Sequence, residues 1–212
     1  MQVYADRREA GRVLTQALAR YQGHPHGLVV GLPRGGVVVA EEVAQALQLP
    51  LDVILLRKLP YPENPELAVG AIAEDGSLFL NPEFDSGTER PPVWLQPIIR
   101  EQMGIIQKRT KLYRSYRHPK PLHGKTVILV DNGVATGATM KVAIQAVQAA
   151  VAGKTIVAVP VAPPSTVREL QRKADEVVVL EAPPEFYAVG QAYDSFDQVS
   201  DEEVISILDR NP

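Results

Sequence analysis

The sequence predicts an α/β fold: a doubly wound, mainly parallel sheet with a lid or hood region inserted over its crevice. Short apolar runs alternate with helical patterns, as at 28–31 before 37–47 and at 126–130 before 140–152. Two of these junctions carry polar, glycine-containing turns, GLPRGG at 31–36 and DNGVATGAT at 131–139. Such turns belong at the C-terminal edge of a parallel sheet. Residues 60–120 break the rhythm with prolines, turn residues and one long helical pattern, and read as an insertion within a single domain spanning 1–212.

Taken in order, Asp6 is placed to cap a helix over 6–21, with Glu9 as reciprocal partner and Ala10, Val13, Leu14, Ala17 and Leu18 along one face. A strand over 28–31 leads through Leu32-Pro33-Arg34-Gly35-Gly36 into a helix over 37–47. A second core strand is expected over 51–59, ending in the basic pair Arg57-Lys58. Three prolines within 60–66 predict a loop, whereas 67–73 and 77–80 form a hairpin pattern about Glu74-Asp75-Gly76. A long helix is predicted over 93–116, with Trp94, Ile98, Ile105, Ile106 and Leu112 as core contacts. Its basic end (Lys108, Arg109, Lys111, Arg114, then Arg117 and His118) reads most simply as a solvated face.

The run Thr126–Val130 is apolar or β-branched throughout, as a strand buried on both faces requires. Gly153 fits the position just past the end of the 140–152 helix. A strand over 155–159, a helix over 165–173 capped by Ser165, and a last core strand over 176–180 follow. Ser200 and Glu203 make a capping box for a terminal helix over 201–208.

Composition removes several function classes. With 45% hydrophobic and 22% charged residues the chain has the mix of a soluble globular protein. No run approaches the roughly 18 apolar residues of a membrane span, and the N-terminus lacks an apolar signal core, so a cytoplasmic protein is expected. The absence of cysteine excludes disulfides, a thiolate nucleophile and thiolate metal ligands. A net charge of -3 without a long basic run argues against a nucleic-acid-binding face. His24, His26, His118 and His123 show no metal-ligand spacing.

The polar turns point to anions. In 133–139, Gly133 and Gly137 let successive backbone N–H groups converge on a phosphate, Thr136 and Thr139 add hydroxyl donors, and the following helix presents its positive end. A carboxylate at Asp131 would repel that phosphate, so it is better used on nearby hydroxyls such as those of a sugar. In 31–36, Arg34 beside Gly35 and Gly36 supplies a guanidinium fork and free N–H groups suited to pyrophosphate. Arg57 and Lys58 leave their strand toward the same crevice. Phe186, Tyr187, Tyr193 and Phe196 cluster near the C-terminus, where they could stack on a planar acceptor or pack against the sheet edge.

A hydrophobic strand, an acid, a second polar residue and then ATGAT resemble the phosphoribosyl-pyrophosphate signature of the type I phosphoribosyltransferases. That resemblance implies Asp131 and Asn132 at the ribose hydroxyls, with Asn132 where the family usually has a second acid. It places Gly133, Ala135, Thr136, Gly137, Ala138 and Thr139 around the 5′-phosphate. GLPRGG is similar to the family's pyrophosphate loop, Arg-Gly-Gly being particularly like the xanthine-guanine branch. Arg57-Lys58 is similar to the pair preceding the mobile loop of the adenine and orotate enzymes, which makes 60–73 the lid. The run RKLPYPENPELAVGAIAEDG also resembles bacterial phosphoribosyltransferase-domain proteins.

The implied activity is transfer of 5-phosphoribosyl from phosphoribosyl pyrophosphate to a nitrogen acceptor such as a purine-like base. Asp131, Arg34 and Lys58 would be catalytic, and Mg²⁺ would be held through waters near Asp131 without direct protein ligands. Phe186 and Tyr187 would meet the acceptor. Small-molecule substrates and a homo-oligomer are expected. The same fold serves non-catalytic regulators that sense this donor or a nucleotide, and the amide at 132 keeps that alternative open.

Overall fold

The computed structural model describes residues 3–81, 83–84, 87, 91–114 and 119–211. The chain runs α1 (Arg7–Ala17), β1 (Gly27–Gly31), α2 (Gly35–Leu47), β2 (Leu51–Val53), β3 (Leu56–Tyr61), β4 (Asn64–Ala73), β5 (Leu78–Leu80) and α3 (Gln96–Tyr113). It continues through β6 (Thr126–Val130), α4 (Ala138–Ala149), β7 (Lys154–Val161), α5 (Pro164–Gln171), β8 (Glu176–Glu181) and α6 (Asp201–Arg210). Five strands form a parallel sheet in the order β2-β1-β6-β7-β8. From β1 the chain winds outward through α2 to β2, and from β6 it winds the other way through α4 to β7. The strand order therefore reverses between β1 and β6, and the crevice above their C-terminal ends is where such sheets bind ligands.

Alternation along the buried strands builds two cores. Val29, Ile128, Val130, Ile156 and Ala158 face α1, α2 and α6, packing with Leu14, Val39, Val43 and Ile207. Leu28, Val30, Val127, Leu129, Val157 and Val159 face the opposite way, onto Met140, Ile144 and Val147 of α4 and Leu170 of α5. Both faces being covered explains why β1 and β6 read as continuous apolar runs.

The predicted caps appear at both ends of the chain. The Asp6 carboxylate accepts the Glu9 N–H at 2.8 Å, while the Glu9 side chain accepts from the N–H of Ala5, one residue before the expected partner. The Ser200 hydroxyl accepts the Glu203 N–H at 3.1 Å.

Several expectations are corrected. The second core strand is two strands: β2 pairs with β1, and β3 then leaves to pair antiparallel with β4. A central parallel strand cannot carry Arg57, Lys58 and Pro60 into a doubly covered core, whereas a hairpin with one open face can. The 60–66 segment belongs to that hairpin, with Pro60 sitting where the β3–β4 register shifts. The left-handed residue after α4 is Val151, at φ 56°, not Gly153. Pro163, not Ser165, stands at the N-cap of α5.

The first predicted helix ends at Ala17 and finishes in a 3-10 turn over Ala19–Tyr21. The long helix is a 3-10 turn, Val93–Leu95, followed by α3, which stops at Tyr113; Arg117 and His118 lie outside the described residues. Trp94 and Leu112 are exposed, whereas Ile106 is buried. The hairpin of 67–73 with 77–80 forms as expected, completing a β3-β4-β5 sheet.

Arg114, expected on a solvated basic face, is instead part-buried, its side chain only 9% exposed, and ties the 56–114 segment to the main sheet. It pairs with Asp52 of β2 at 3.1 Å and with Glu74 at 3.0 Å, and donates to the Val53 carbonyl at 2.9 Å. Asp52 also accepts the N–H groups of Val53 and Lys120, both at 2.7 Å. Removing one partner of a buried ion pair leaves the others uncompensated. Arg114→Ala should therefore lower unfolding free energy by about 3 kcal/mol in urea titration. A midpoint matching that of a substitution on the exposed face of α3 would show that the network does not secure the insertion.

Candidate active site

The two glycine-containing turns meet because β1 and β6 are hydrogen-bonded neighbours in register, Gly31 opposite Val130. The 34–36 turn packs directly on the first residues after β6. A Cβ on Gly36 would lie 2.8 Å from both the Cα and a carboxylate oxygen of Asp131, and one on Gly35 would lie 2.3 Å from the Asn132 amide nitrogen. At Gly36 the obstruction includes backbone, so a side chain is excluded there, whereas at Gly35 it is the ends of the Asn132 and Arg7 side chains, which a Cβ would displace. The Pro33–Arg34 peptide is cis.

A cavity of 240 Å³ opens over this junction. It is lined by Leu32, Pro33, Lys58, Asp131, Val189 and the whole 133–140 segment. At slightly below the roughly 300–1,000 Å³ of pockets for drug-sized ligands, it has the scale of a sugar phosphate. Gly137, with φ 75°, turns the loop into α4, whose first residues, Ala138, Thr139 and Met140, line the cavity. Asp131 accepts the N–H of Asn132 at 2.8 Å. Burial pushes its carboxyl up to about 7, opposed by that hydrogen bond and by the charges of Lys58 and Arg7.

The structure thus brings together Lys58, Asp131, Gly133, Ala135, Thr136, Gly137, Ala138 and Thr139, as the sequence predicts. Other candidates sit elsewhere. Arg34 points away from the cavity lining toward α6, its guanidinium 3.9 Å from Asp201. Arg57 is outside the cavity lining, bonded through Nε to Gln102 at 3.0 Å, in a narrow cleft shared with Pro33, Arg109 and Thr139. Burial, then the neighbouring charge of Arg109, lowers its pKa. Tyr187 is 81% exposed, and Phe186 packs against the cluster of Tyr4, Val161 and Tyr193. Neither lines the cavity; Val189 does.

Sequence reading missed the support behind Asn132. The Tyr193 hydroxyl donates to the Asn132 carbonyl, and Tyr193 stacks on Phe196, over which the Arg7 guanidinium lies at 4.0 Å. Arg7 also bonds the Asp197 carbonyl at 2.9 Å, and its Nε would be 2.9 Å from a Cβ on Gly35. Nothing local marks Arg7, which enters the site from the first turn of α1 only through tertiary packing. The partner signal was the aromatic cluster, which here buttresses the loop.

A cation has one carboxylate to meet in this cavity, Asp131, and among the described residues no three His, Cys, Asp or Glu side chains gather to hold a metal. That suits Mg²⁺, which keeps several waters and binds through one or two carboxylates together with substrate phosphates. No helix among the described residues is long and apolar enough to cross a membrane.

Asp131 sets a pH signature. Its carboxyl titrates above the ordinary 3.8 in the folded protein, so between about pH 4 and about pH 7 the folded chain keeps a proton that the unfolded chain has lost. Stability is then full below that window and falls as pH rises through it. Asp131→Asn should raise the melting temperature at pH 8 by about 4–10 °C, equivalent to roughly 2–4 kcal/mol, with the gain vanishing by pH 4. A gain that is the same at both pH values would rule out Asp131 as its source.

A family model described as a phosphoribosyl transferase domain matches residues 5–194. Over 210 residues, 99% of this chain, the sequence is 47% identical to "Putative phosphoribosyl transferase Rv0571c" of Mycobacterium tuberculosis H37Rv, and equally to its counterpart MT0597 in strain CDC 1551. The chain spans 47% of the length of these curated relatives. The crystal structure of TT1426 from Thermus thermophilus matches with a TM-score of 0.84 at 43% identity, covering 100% of this chain and 99% of that one. With its switch-point cavity, its Asp131-to-Thr139 loop and this match over most of its length, the chain belongs to the phosphoribosyl transferase domain family.

Proposed function

We propose that the protein transfers the 5-phosphoribosyl group of phosphoribosyl pyrophosphate to a nitrogen of a small planar acceptor, a purine-like base foremost, releasing pyrophosphate. The observation that carries this is the convergence of one carboxylate (Asp131), one exposed cation (Lys58) and a small-residue anion loop (133–139) on a single cavity at the sheet's switch point.

The chemistry needs both phosphate ends held apart while the bond from ribose C1 to pyrophosphate breaks. Pyrophosphate leaves with the bonding pair, positive charge spreads over C1 and the ring oxygen, and the acceptor nitrogen closes the new C–N bond and releases its proton. The 133–139 loop fixes the 5′-phosphate, and Asp131 meets the ribose hydroxyls; Asn132, which is outside the cavity lining with its side-chain amide against Gly35, reaches them by turning that side chain. Lys58, from β3, neutralises the leaving group together with Arg34, which exchanges its loose pairing with Asp201 for the pyrophosphate. Mg²⁺, when bound, supplies further neutralisation of the pyrophosphate charge. Much of the rate then comes from placement and preorganised charge. The β3–β4 hairpin, which carries Lys58, is the element that would cover the donor and exclude water.

Asn132 favours a second reading, a sensor that holds the donor without consuming it, because an amide lacks the charge of the family's usual second acid. Pyrophosphate release, measured with phosphoribosyl pyrophosphate, Mg²⁺ and a panel of nucleobases, separates the two. The transferase reading expects release that depends on one acceptor; donor binding with no release under any acceptor supports the sensor. Lys58→Ala and Arg34→Ala should each lower kcat/KM by about 10²-fold or more while leaving the melting temperature within a degree or two of the parent. Equal loss of folding and of donor binding in Arg34→Ala would sink its assignment.

A further inference from the structure

Two carbonyls of the 133–139 loop are bonded from behind. Thr166 of α5, 5% exposed, donates its hydroxyl to the Ala135 carbonyl at 2.6 Å. Lys141 of α4, 8% exposed, reaches the Thr136 carbonyl with its ammonium at 3.5 Å and pairs with Glu169 of α5. Gly137 fits between the two anchors: a Cβ there would lie 3.0 Å from the Thr166 methyl and 3.3 Å from Cε of Lys141. Neither anchor is among the residues lining the cavity, so both carbonyls are drawn away from it.

A planar trans peptide points its C=O and the next N–H in opposite directions. Turning the Ala135 carbonyl onto Thr166 therefore aims the Thr136 N–H at the cavity, and turning the Thr136 carbonyl onto Lys141 does the same for the Gly137 N–H. An anion cradle works only if its donors are fixed before the ligand arrives; a loop free to flip these peptides would present carbonyl oxygens to a phosphate. We infer that Thr166 and Lys141 are positioning residues that lock the 135–137 peptides in the anion-binding orientation, for a phosphate monoester such as the 5′-phosphate of the donor. The inference rests on the proposed function for the identity of that phosphate. The Lys141–Glu169 pair adds a positive charge behind the cradle that is compensated by an exposed carboxylate, so its main effect is orientation.

Calorimetric titration of the full chain with ribose 5-phosphate, and separately with pyrophosphate and Mg²⁺, tests it. Thr166→Val keeps the side-chain shape and removes the donor. It should weaken ribose 5-phosphate about tenfold, the effect of one hydrogen bond on the cradle, and leave pyrophosphate unchanged. Thr166→Ser should restore binding, and Lys141→Met should weaken the same ligand from the other side, giving a second reading if the valine variant folds poorly. Ribose 5-phosphate bound as tightly by both Thr166→Val and Lys141→Met as by the parent overturns the inference alone. Equal weakening of both ligands also overturns it, since it marks a general structural loss. A parent protein that binds neither ligand overturns the proposed function and this inference together.

Discussion

The close approach of the 34–36 turn to Asp131 governs the arrangement of the site. It follows from a parallel pairing that brings Gly31 opposite Val130, so that two chains leave the sheet side by side with less room between them than a methyl group occupies. Because backbone lies against backbone, the two anion-suited turns cannot drift apart without breaking the central strand pair. The spacing of the two turns is thereby set by two neighbouring strands that are buried throughout. Rigid placement of this kind suits a reaction whose barrier is lowered by geometry and preorganised charge more than by any one reactive side chain.

Electrostatics run against stability at the same place. A carboxyl pushed up to about 7 by burial sits at the floor of the cavity, with Lys58 and Arg7 only partly offsetting the loss of solvent. Such a group is better tolerated neutral by the folded protein, whereas hydroxyls and a hydrated cation call for it charged. In the proposed reading, binding of the donor would be linked to ionisation of Asp131. The anchors on α4 and α5 act on the opposite wall, where donors rather than charge must be held in place.

Most of the sheet was legible because buried parallel strands are apolar on both faces and their ends carry glycine and charge. Thr126–Val130 and the 131–139 loop needed no tertiary information. The larger misreadings arise because a residue's distant partner is not written in its own neighbourhood. LDVILLRKL is uniform enough to pass for one strand, yet it serves two sheets. Arg114 has the look of a solvated helix end until Asp52 and Glu74, remote in sequence, arrive beside it. The same holds for Thr166 and Lys141, which look like an ordinary helix-start threonine and an amphipathic lysine. Of the two roles open to the aromatic tail, stacking on an acceptor or packing against the sheet edge, Tyr193 takes the second: it is buried and stacks on the half-exposed ring of Phe196, while Tyr187 stays in solvent.

The buttress formed by that tail bears on the discordant residue of the loop. Tyr4 and Tyr193 join the two ends of the chain by a parallel bridge, Tyr4 donating to Ala192 at 2.8 Å and Asp194 donating to Tyr4 at 2.8 Å. This bridge sets Arg7 and Tyr193 on the far side of Gly35 and Asn132 from the cavity. A carboxylate at 132 would stand beside Asp131, whose ionisation is already resisted by burial, and each acid would raise the other's pKa further. It would also draw Arg7 from its place over Phe196. An amide avoids both effects while retaining a hydrogen-bond donor and an acceptor. On this account Asn132 belongs with Arg7 and the aromatic tail as a unit: the site keeps one titratable acid, and the cation that would answer a second one is used to fasten the chain ends behind the loop.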